Sequence, residues 1–121
     1  KDGTYVDGRR PESVEAGTMM DDALRRDFTI NALYYDPFTD EVLDPTGRGL
    51  MDLRDKMIRF NGKPKDRITE DLLRIMRCYR FSAVLGFEIE SKALKICRTY
   101  FNEMCSKISG ERIRLEVEKM I

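Results

Sequence analysis

The stretch Glu-Asp-Leu-Leu-Arg-Ile-Met-Arg-Cys-Tyr-Arg-Phe at residues 70–81 decides the character of the second half of the chain. Thr69 supplies a predicted N-cap ahead of an acidic first turn, and the predicted helix runs to about Leu85, where Gly86 stops it. On a wheel of about 100° per residue, five apolar side chains share an arc of about 100°, the width of an ordinary core-facing stripe. These side chains are Leu72, Ile75, Met76, Tyr79 and Ala83.

A second set of side chains on the predicted helix is charged. Its members are spaced three apart, so each lies about 60° behind the last, and they are Asp71, Arg74, Arg77 and Arg80. Large apolar groups lie beside this ridge, which is unusual for a solvated face, so we expect the ridge to line a partly enclosed cleft. The alternative is a surface role in which Asp71 and Arg74 form an ion pair worth about 0.2 to 0.5 kcal/mol and the other arginines lie over neighbouring structure.

Asp71 and Arg74 together have the chemistry to read the edge of a nucleobase. A carboxylate accepts hydrogen bonds and a guanidinium donates them, so the pair matches an edge that carries an amino donor next to a ring-nitrogen acceptor. Adenine and cytosine present that edge, whereas guanine and uracil present the reverse pattern. The pair would therefore admit A and C and reject G and U, and Arg77 and Arg80 would lie near the phosphates of the bound nucleotide.

The rest of the chain predicts an α+β fold in two parts, with the boundary near Lys65. Residues 1–65 contain a loop over residues 1–22, a β-hairpin between Ala32 and Leu43, a short helix from Leu50 to Lys56 and a strand from Met57 to Phe60. Residues 66–121 are predicted to be all-helical, with two further helices that begin at Ser91 and Gly110.

The composition excludes several classes of function. The 121 residues carry 22 Lys and Arg against 22 Asp and Glu, so nucleic-acid contacts must come from local placement of charge; 14 of the basic residues are Arg, which suits forked recognition of phosphates and bases. The absence of histidine excludes an imidazole base or a His-ligated metal within the chain. The spacing of Cys78, Cys97 and Cys105 predicts reduced thiols rather than a zinc site or a disulfide framework.

The apolar stretches are too short to span a membrane, so we expect no membrane partner and an intracellular location, in the cytoplasm or an organelle. Because the chain starts at Lys1 in a Gly- and Arg-bearing segment, we expect it to be part of a longer protein.

Four motifs in order along the chain resemble motifs B to E of the class II tRNA nucleotidyltransferases, or CCA-adding enzymes, and of the related bacterial-type poly(A) polymerases. The motifs are Arg25-Arg26-Asp27-Phe28-Thr29-Ile30-Asn31-Ala32; Asp44-Pro45-Thr46-Gly47-Arg48-Gly49-Leu50-Met51-Asp52-Leu53; Glu70-Asp71-Leu72-Leu73-Arg74 with Arg77, Arg80 and Phe81; and Ser109-Gly110-Glu111-Arg112-Ile113. In this family a head domain carries the catalysis and a helical neck reads the nucleotide. The resemblance implies that the boundary near Lys65 is the junction between the two.

The resemblance also implies roles for individual residues. Asp71 and Arg74 would select ATP and CTP, and Asp27 would hold the ribose. The triphosphate would be bound by Arg26, Arg77 and Arg80. Arg25, Asn31 and Glu70 would have supporting roles, and Glu111 and Arg112 would brace the selecting helix. Asp44, Gly47 and Asp52 would form a hinge. Asp44 and Asp52 also suit plain turn and helix-start roles. Residues 1–22 resemble a flexible loop that is implicated in the switch from C to A addition.

The first family motif is absent. The family holds two Mg²⁺ ions with an Asp-x-Asp pair after a Gly-Gly turn, and the chain contains no Asp-x-Asp. We therefore expect no catalytic and no metal-binding residues in these 121 residues, and we expect the Mg²⁺ ligands to lie upstream.

The predicted function is template-independent addition of nucleotides to an RNA 3′ end, with tRNA as the favoured acceptor and CTP and ATP as substrates. A poly(A) polymerase, or an enzyme that adds only CC or only A, would share these motifs. A catalytically silent module that binds nucleotide or RNA is the alternative from another class.

Overall fold

The computed structural model describes residues 12–119 of the chain, with side chains described from residue 18 onward. Within this range the chain forms six α-helices, one 3₁₀ helix and four short strands, which confirms the predicted α+β class. In chain order they are α1 (Glu12–Arg25), the 3₁₀ helix (Thr29–Ala32), β1 (Tyr34–Asp36), β2 (Glu41–Leu43), α2 (Gly49–Asp55), β3 (Met57–Ile58), α3 (Pro64–Glu70), α4 (Arg74–Leu85), β4 (Glu88–Ile89), α5 (Ser91–Lys107) and α6 (Gly110–Glu118).

The first helix corrects the prediction of a loop over residues 1–22. Helix α1 begins at Glu12, so the loop prediction is wrong for residues 12–22, and residues 1–11 lie outside the described residues. The sequence argument gave too much weight to Gly17, since a single glycine costs a helix only about 1 kcal/mol. It gave too little to Met19 and Ala23, which are four residues apart, and Ala23 is fully buried.

The hairpin and the short helix after it form where the sequence predicts them. Strands β1 and β2 are antiparallel, with Tyr34 opposite Leu43 and Tyr35 opposite Val42. Helix α2 follows a turn in which Asp44 accepts hydrogen bonds from the backbone N–H groups of Gly49 and Leu50, both at 3.0 Å. The Asp44 carboxylate thereby satisfies two N–H groups that the first turn of a helix leaves free.

The two predicted parts of the chain share one sheet and one core. Strand β3 pairs in parallel with β4, and Phe28 bridges to Phe60. The buried cluster draws on both sides of Lys65 and consists of Phe28, Ile58, Phe60, Ile68, Leu72, Ile75, Cys78, Ala93, Cys97 and Met104. A single continuous core therefore holds the head-like and neck-like segments together.

All three cysteines are free thiols, with Cys78 and Cys97 buried in the core and Cys105 exposed. Across residues 12–119, none of the helices combines the length and the apolar character that a membrane crossing would need.

Candidate functional site

A cavity of about 570 Å³ lies where the turn after α1 faces the start of α4 and the start of α6. Its lining residues are Arg25, Arg26, Asp27, Asn31, Asp71, Leu73, Arg74, Arg77, Phe81 and Arg112. Five arginines against two aspartates give the wall a formal excess of three positive charges. Such a wall suits an anionic ligand, and Leu73 and Phe81 add an apolar surface to it.

The prediction of a single helix from Thr69 to Leu85 is wrong, because the helix is interrupted at Asp71. The backbone of Asp71 is extended, with φ −153° and ψ 105°, and its Oδ1 accepts a hydrogen bond from the N–H of Leu73 at 3.1 Å. This local hydrogen bond competes with helix formation, which is typical of Asp. Thr69 is inside α3 rather than an N-cap, and its hydroxyl donates to the carbonyl of Lys65.

The break changes how Asp71 and Arg74 face each other. They do not form the surface ion pair considered as the alternative; Asp71 Oδ2 lies 3.7 Å from Arg112 Nη2, and Arg74 pairs with Glu70. Both side chains nevertheless line the cavity.

Arg74 is held by one of its terminal nitrogens. Its Nη1 donates to the carbonyl of Arg67 at 2.7 Å and to Glu70 Oε1 at 2.8 Å. These are the partners of its guanidinium within residues 12–119, and in that part of the chain Nη2 has no hydrogen-bond partner. Since the side chain is only 20% exposed, its orientation is set before any ligand arrives.

Two residues that the sequence argument missed hold the turn that carries Arg26 and Asp27. The side-chain amide of buried Asn61 donates to the carbonyls of Ala23, Arg26 and Phe28 at 2.8–3.3 Å. Arg67 Nη2 donates to the carbonyls of Arg25 and Arg26 at 2.7 and 3.0 Å. The sequence carries no signal for these long-range contacts, because Asn61 followed by glycine has the ordinary pattern of a turn.

Asp27 is buried and already engaged. Its Oδ2 accepts a hydrogen bond from Arg77 Nε at 2.6 Å, and its Oδ1 accepts from the N–H of Phe28 and from Asn31 Nδ2. The carboxylate thus ties the turn after α1 to helix α4 across the floor of the cavity, and it holds the two cavity residues Asn31 and Arg77.

Arg80 is not among the residues that line the cavity, and its predicted place beside the phosphates stays a prediction. It turns toward α6, where its Nε donates to Glu116 Oε1 at 2.8 Å, and its guanidinium carbon lies 4.4 Å from the centre of the Phe81 ring. Successive arginines three apart rotate around the helix by about 60° each, so the last of them leaves the cavity face.

Glu116 is the brace between α4 and α6 that the sequence argument missed. Its side chain is only 7% exposed, and burial acts to raise its pKa, but hydrogen bonds from Arg80 and Lys119 outweigh this and leave the pKa lowered. The family resemblance implies Glu111 and Arg112 for the bracing instead. Arg112 does approach Asp71, whereas Glu111 lies 4.0 Å from Arg114 on its own helix.

The second motif lies outside the cavity lining. Asp44 caps α2, Gly47 takes a positive φ of 78° in the turn, and Asp52 is a buried residue of α2 itself. Asp52 accepts hydrogen bonds from Thr29 Oγ1 at 2.6 Å and from Arg59 Nε at 3.1 Å. These contacts fasten α2 to its neighbours, which fits the turn and helix roles considered for the two aspartates.

The residues present do not fit a magnesium site. In the described part of the chain, no group of three or more Asp, Glu, Cys or His side chains is arranged to hold a metal ion. The cavity wall carries an excess of arginine, which suits an anionic ligand, and it sets a carboxylate acceptor, Asp71, and a guanidinium donor, Arg74, on the same lining.

Comparisons with known proteins identify relatives of this chain. Residues 1–59 match the family model described as the poly(A) polymerase head domain. The CCA-adding enzyme of Streptococcus pyogenes serotype M5 (strain Manfredo) is 43% identical over 118 residues, which cover 97% of this chain and 29% of that enzyme. The chain thus spans about three tenths of the length of the curated relatives it matches.

Solved structures give the same result. The CCA-adding enzyme of Bacillus stearothermophilus in complex with CTP superposes with a TM-score of 0.76 at 35% identity, covering 84% of this chain and 25% of that one. The Thermotoga maritima CCA-adding enzyme complexed with tRNA gives a TM-score of 0.71 at 32% identity, again covering 84% and 25%. In sequence and in fold, the chain belongs to the family of the CCA-adding enzymes and the related poly(A) polymerases.

Proposed function

We propose that the whole protein adds C and A to the 3′ end of tRNA without a nucleic-acid template, using CTP and ATP. The observation that carries this proposal is the cavity, in which Asp71 and Arg74 share a wall with an excess of arginine. The relatives that match most of this chain are CCA-adding enzymes, one solved with CTP and one with tRNA, which supports the same substrates and acceptor here.

Arg74 and Asp71 read the base in this proposal. Arg74 is fixed through Nη1, so Nη2 can donate to the ring nitrogen of adenine or cytosine. Among the residues that the structure describes, Asp71 Oδ2 has a single long contact, 3.7 Å from Arg112, so it can accept from the exocyclic amino group. Guanine and uracil would set a carbonyl against the carboxylate and an N–H against the guanidinium, and polar groups left unpaired in this way give strong discrimination.

Arg26 and Arg77 bind the phosphates. Arg77 uses Nε to hold Asp27, and its terminal nitrogens, which have no hydrogen-bond partner in the described part of the chain, can bind an anion. Arg26 lines the cavity beside it. Catalysis would require magnesium ligands from outside these 121 residues, as the family resemblance implies.

Incorporation of labelled nucleotides into tRNA that lacks its terminal CCA tests the proposal with the whole protein. We expect C and A to be added and G and U to be rejected. Incorporation of C would exclude a pure poly(A) polymerase, and addition of C alone or A alone would identify an enzyme restricted to CC or to A.

The alternative from another class is a silent binding module. It would bind ATP and CTP with the same A and C preference but would incorporate neither. Nucleotide binding without incorporation would therefore overturn the enzyme assignment and leave the binding site intact.

A further inference from the structure

Arg26 is held from outside the cavity by two side chains, those of Asp22 and Tyr34. Its Nη2 donates to Asp22 Oδ2 at 2.9 Å, and its guanidinium carbon lies 5.4 Å from the centre of the Tyr34 ring. The hydroxyl of Tyr34 donates a short hydrogen bond to the same oxygen of Asp22. The three side chains therefore form a closed arrangement in which each contacts the other two.

The three members come from different elements. Asp22 lies in the last turns of α1, Arg26 follows the end of that helix, and Tyr34 opens strand β1. Tyr34 is partly buried, whereas the side chains of Arg26 and Asp22 are about half exposed, at 47% and 48%. An exposed arginine ordinarily samples many rotamers, and ordering it has an entropic cost.

The electrostatics of the arrangement favour a fixed guanidinium. Hydrogen bonds from Tyr34 and from Arg26 lower the pKa of Asp22, so this carboxylate stays ionised at neutral pH. The face of the Tyr34 ring attracts the positively charged guanidinium of Arg26. Asp22 holds one nitrogen of the Arg26 guanidinium. The orientation of the guanidinium is therefore set by contacts that lie outside the space that a nucleotide would fill.

We propose that Asp22 and Tyr34 are positioning residues for Arg26, which they orient for the phosphates of the incoming nucleotide. This inference rests on the proposed function, since it requires Arg26 to meet phosphate. Neither residue touches the cavity, so each acts through Arg26 alone.

The chain contains a matched control at the next position. Tyr35 lies on the same strand, and its hydroxyl also donates to an aspartate, Asp40 Oδ1, at 2.6 Å. It is 60% exposed and does not line the cavity. Tyr34→Phe and Tyr35→Phe thus remove the same group from neighbouring residues, and only the first loss reaches Arg26.

The test compares the affinities for ATP and adenosine, measured by calorimetry at fixed salt. The wild-type protein should bind ATP more tightly than adenosine. Tyr34→Phe should weaken ATP binding by about two- to tenfold, the equivalent of one hydrogen bond, and leave adenosine binding unchanged. Tyr35→Phe should change neither affinity. Asp22→Asn should weaken ATP binding in the same way as Tyr34→Phe. Asp22→Glu, which keeps the carboxylate, should weaken ATP binding less than Asp22→Asn.

A double-mutant cycle decides whether Tyr34 acts through Arg26. In an Arg26→Gln background, Tyr34→Phe should cause no further loss of ATP affinity. The positioning role would be overturned if Tyr34→Phe weakened ATP binding as much in the Arg26→Gln background as in the wild type, or if Tyr34→Phe and Tyr35→Phe had equal effects. Either result would leave the proposed nucleotide site unaffected. If the wild type bound ATP no better than adenosine, the proposed phosphate site would fail, and this inference would fail with it.

Discussion

The ion pair between Arg80 and Glu116 is expected to contribute to the stability of the fold. It joins α4 to α6, and the two side chains are only 16% and 7% exposed. Glu116→Gln keeps the size of the side chain and removes its charge, so Arg80 is left facing a neutral acceptor. We expect the variant to fold less stably, with the loss concentrated at the contact between these helices.

The size of the loss follows from the geometry of the pair. A hydrogen bond to a charged partner contributes about 1.5 to 3 kcal/mol, and the 2.8 Å contact is partly buried. We therefore expect Glu116→Gln to lower the free energy of unfolding by about 2 kcal/mol. At this chain length 1 kcal/mol corresponds to about 4 °C, so Tm should fall by about 8 °C at pH 7.

The effect should depend on pH in a defined direction. The folded-state pKa of Glu116 is lowered from its ordinary value of 4.5, so its ionised form stabilises the fold fully above that value. The contribution is lost as the pH falls through the folded-state pKa. Thermal denaturation followed by circular dichroism should therefore show the difference in Tm between wild type and variant narrowing below about pH 4.5.

Glu118 supplies the control on the same helix. It pairs with Arg114 at 3.3 Å, but both side chains are more than half exposed. Glu118→Gln should change stability by less than about 0.5 kcal/mol, because exposed pairs contribute little. Equal shifts for the two variants at pH 7, or a Glu116→Gln difference that does not depend on pH, would refute the reasoning.

Three further substitutions test the site and its supports. Arg74→Lys keeps the charge but loses the planar fork, so selectivity for A and C over G and U should fall by about tenfold or more in incorporation assays; unchanged selectivity would remove Arg74 from base reading. Gly49→Ala would set its Cβ 2.6 Å from a backbone carbonyl of the 3₁₀ helix and should cost about 2 kcal/mol in thermal denaturation, whereas Gly110→Ala meets nothing within 4 Å and should be neutral or slightly stabilising. Asp52→Ala strips a buried carboxylate from its arginine and threonine partners and should cost about 3 kcal/mol in urea denaturation, against little change for Asp55→Ala at the exposed end of the same helix.

The sequence predicted those parts of the structure that depend on local pattern. The hairpin, helix α2 and the glycine at position 86 follow from turn chemistry and periodicity, and the structure confirms them. The three-residue spacing also brought Arg74 and Arg77 to one cavity. In each case neighbouring residues along the chain decide the outcome.

The misses have a different physical origin. The break at Asp71 depends on a side chain that competes with the helix, and a helical wheel has no means to represent that competition. The partners of Arg80 and Arg67 are 36 and 42 residues away in sequence, at Glu116 and Arg25. Contacts over such separations arise only after the core has brought the elements together, so periodicity carries no trace of them.

The shared core limits how the cavity can change size. Phe28 comes directly after the lining residue Asp27, Ile75 comes directly after the lining residue Arg74, and both are fully buried in the same cluster. Drawing the walls apart would expose large side chains at about 1.5 to 3 kcal/mol each, so a wide rigid-body opening is costly. The packing of Phe28 and Ile75 in one core therefore keeps the two segments that carry the lining residues at a fixed separation.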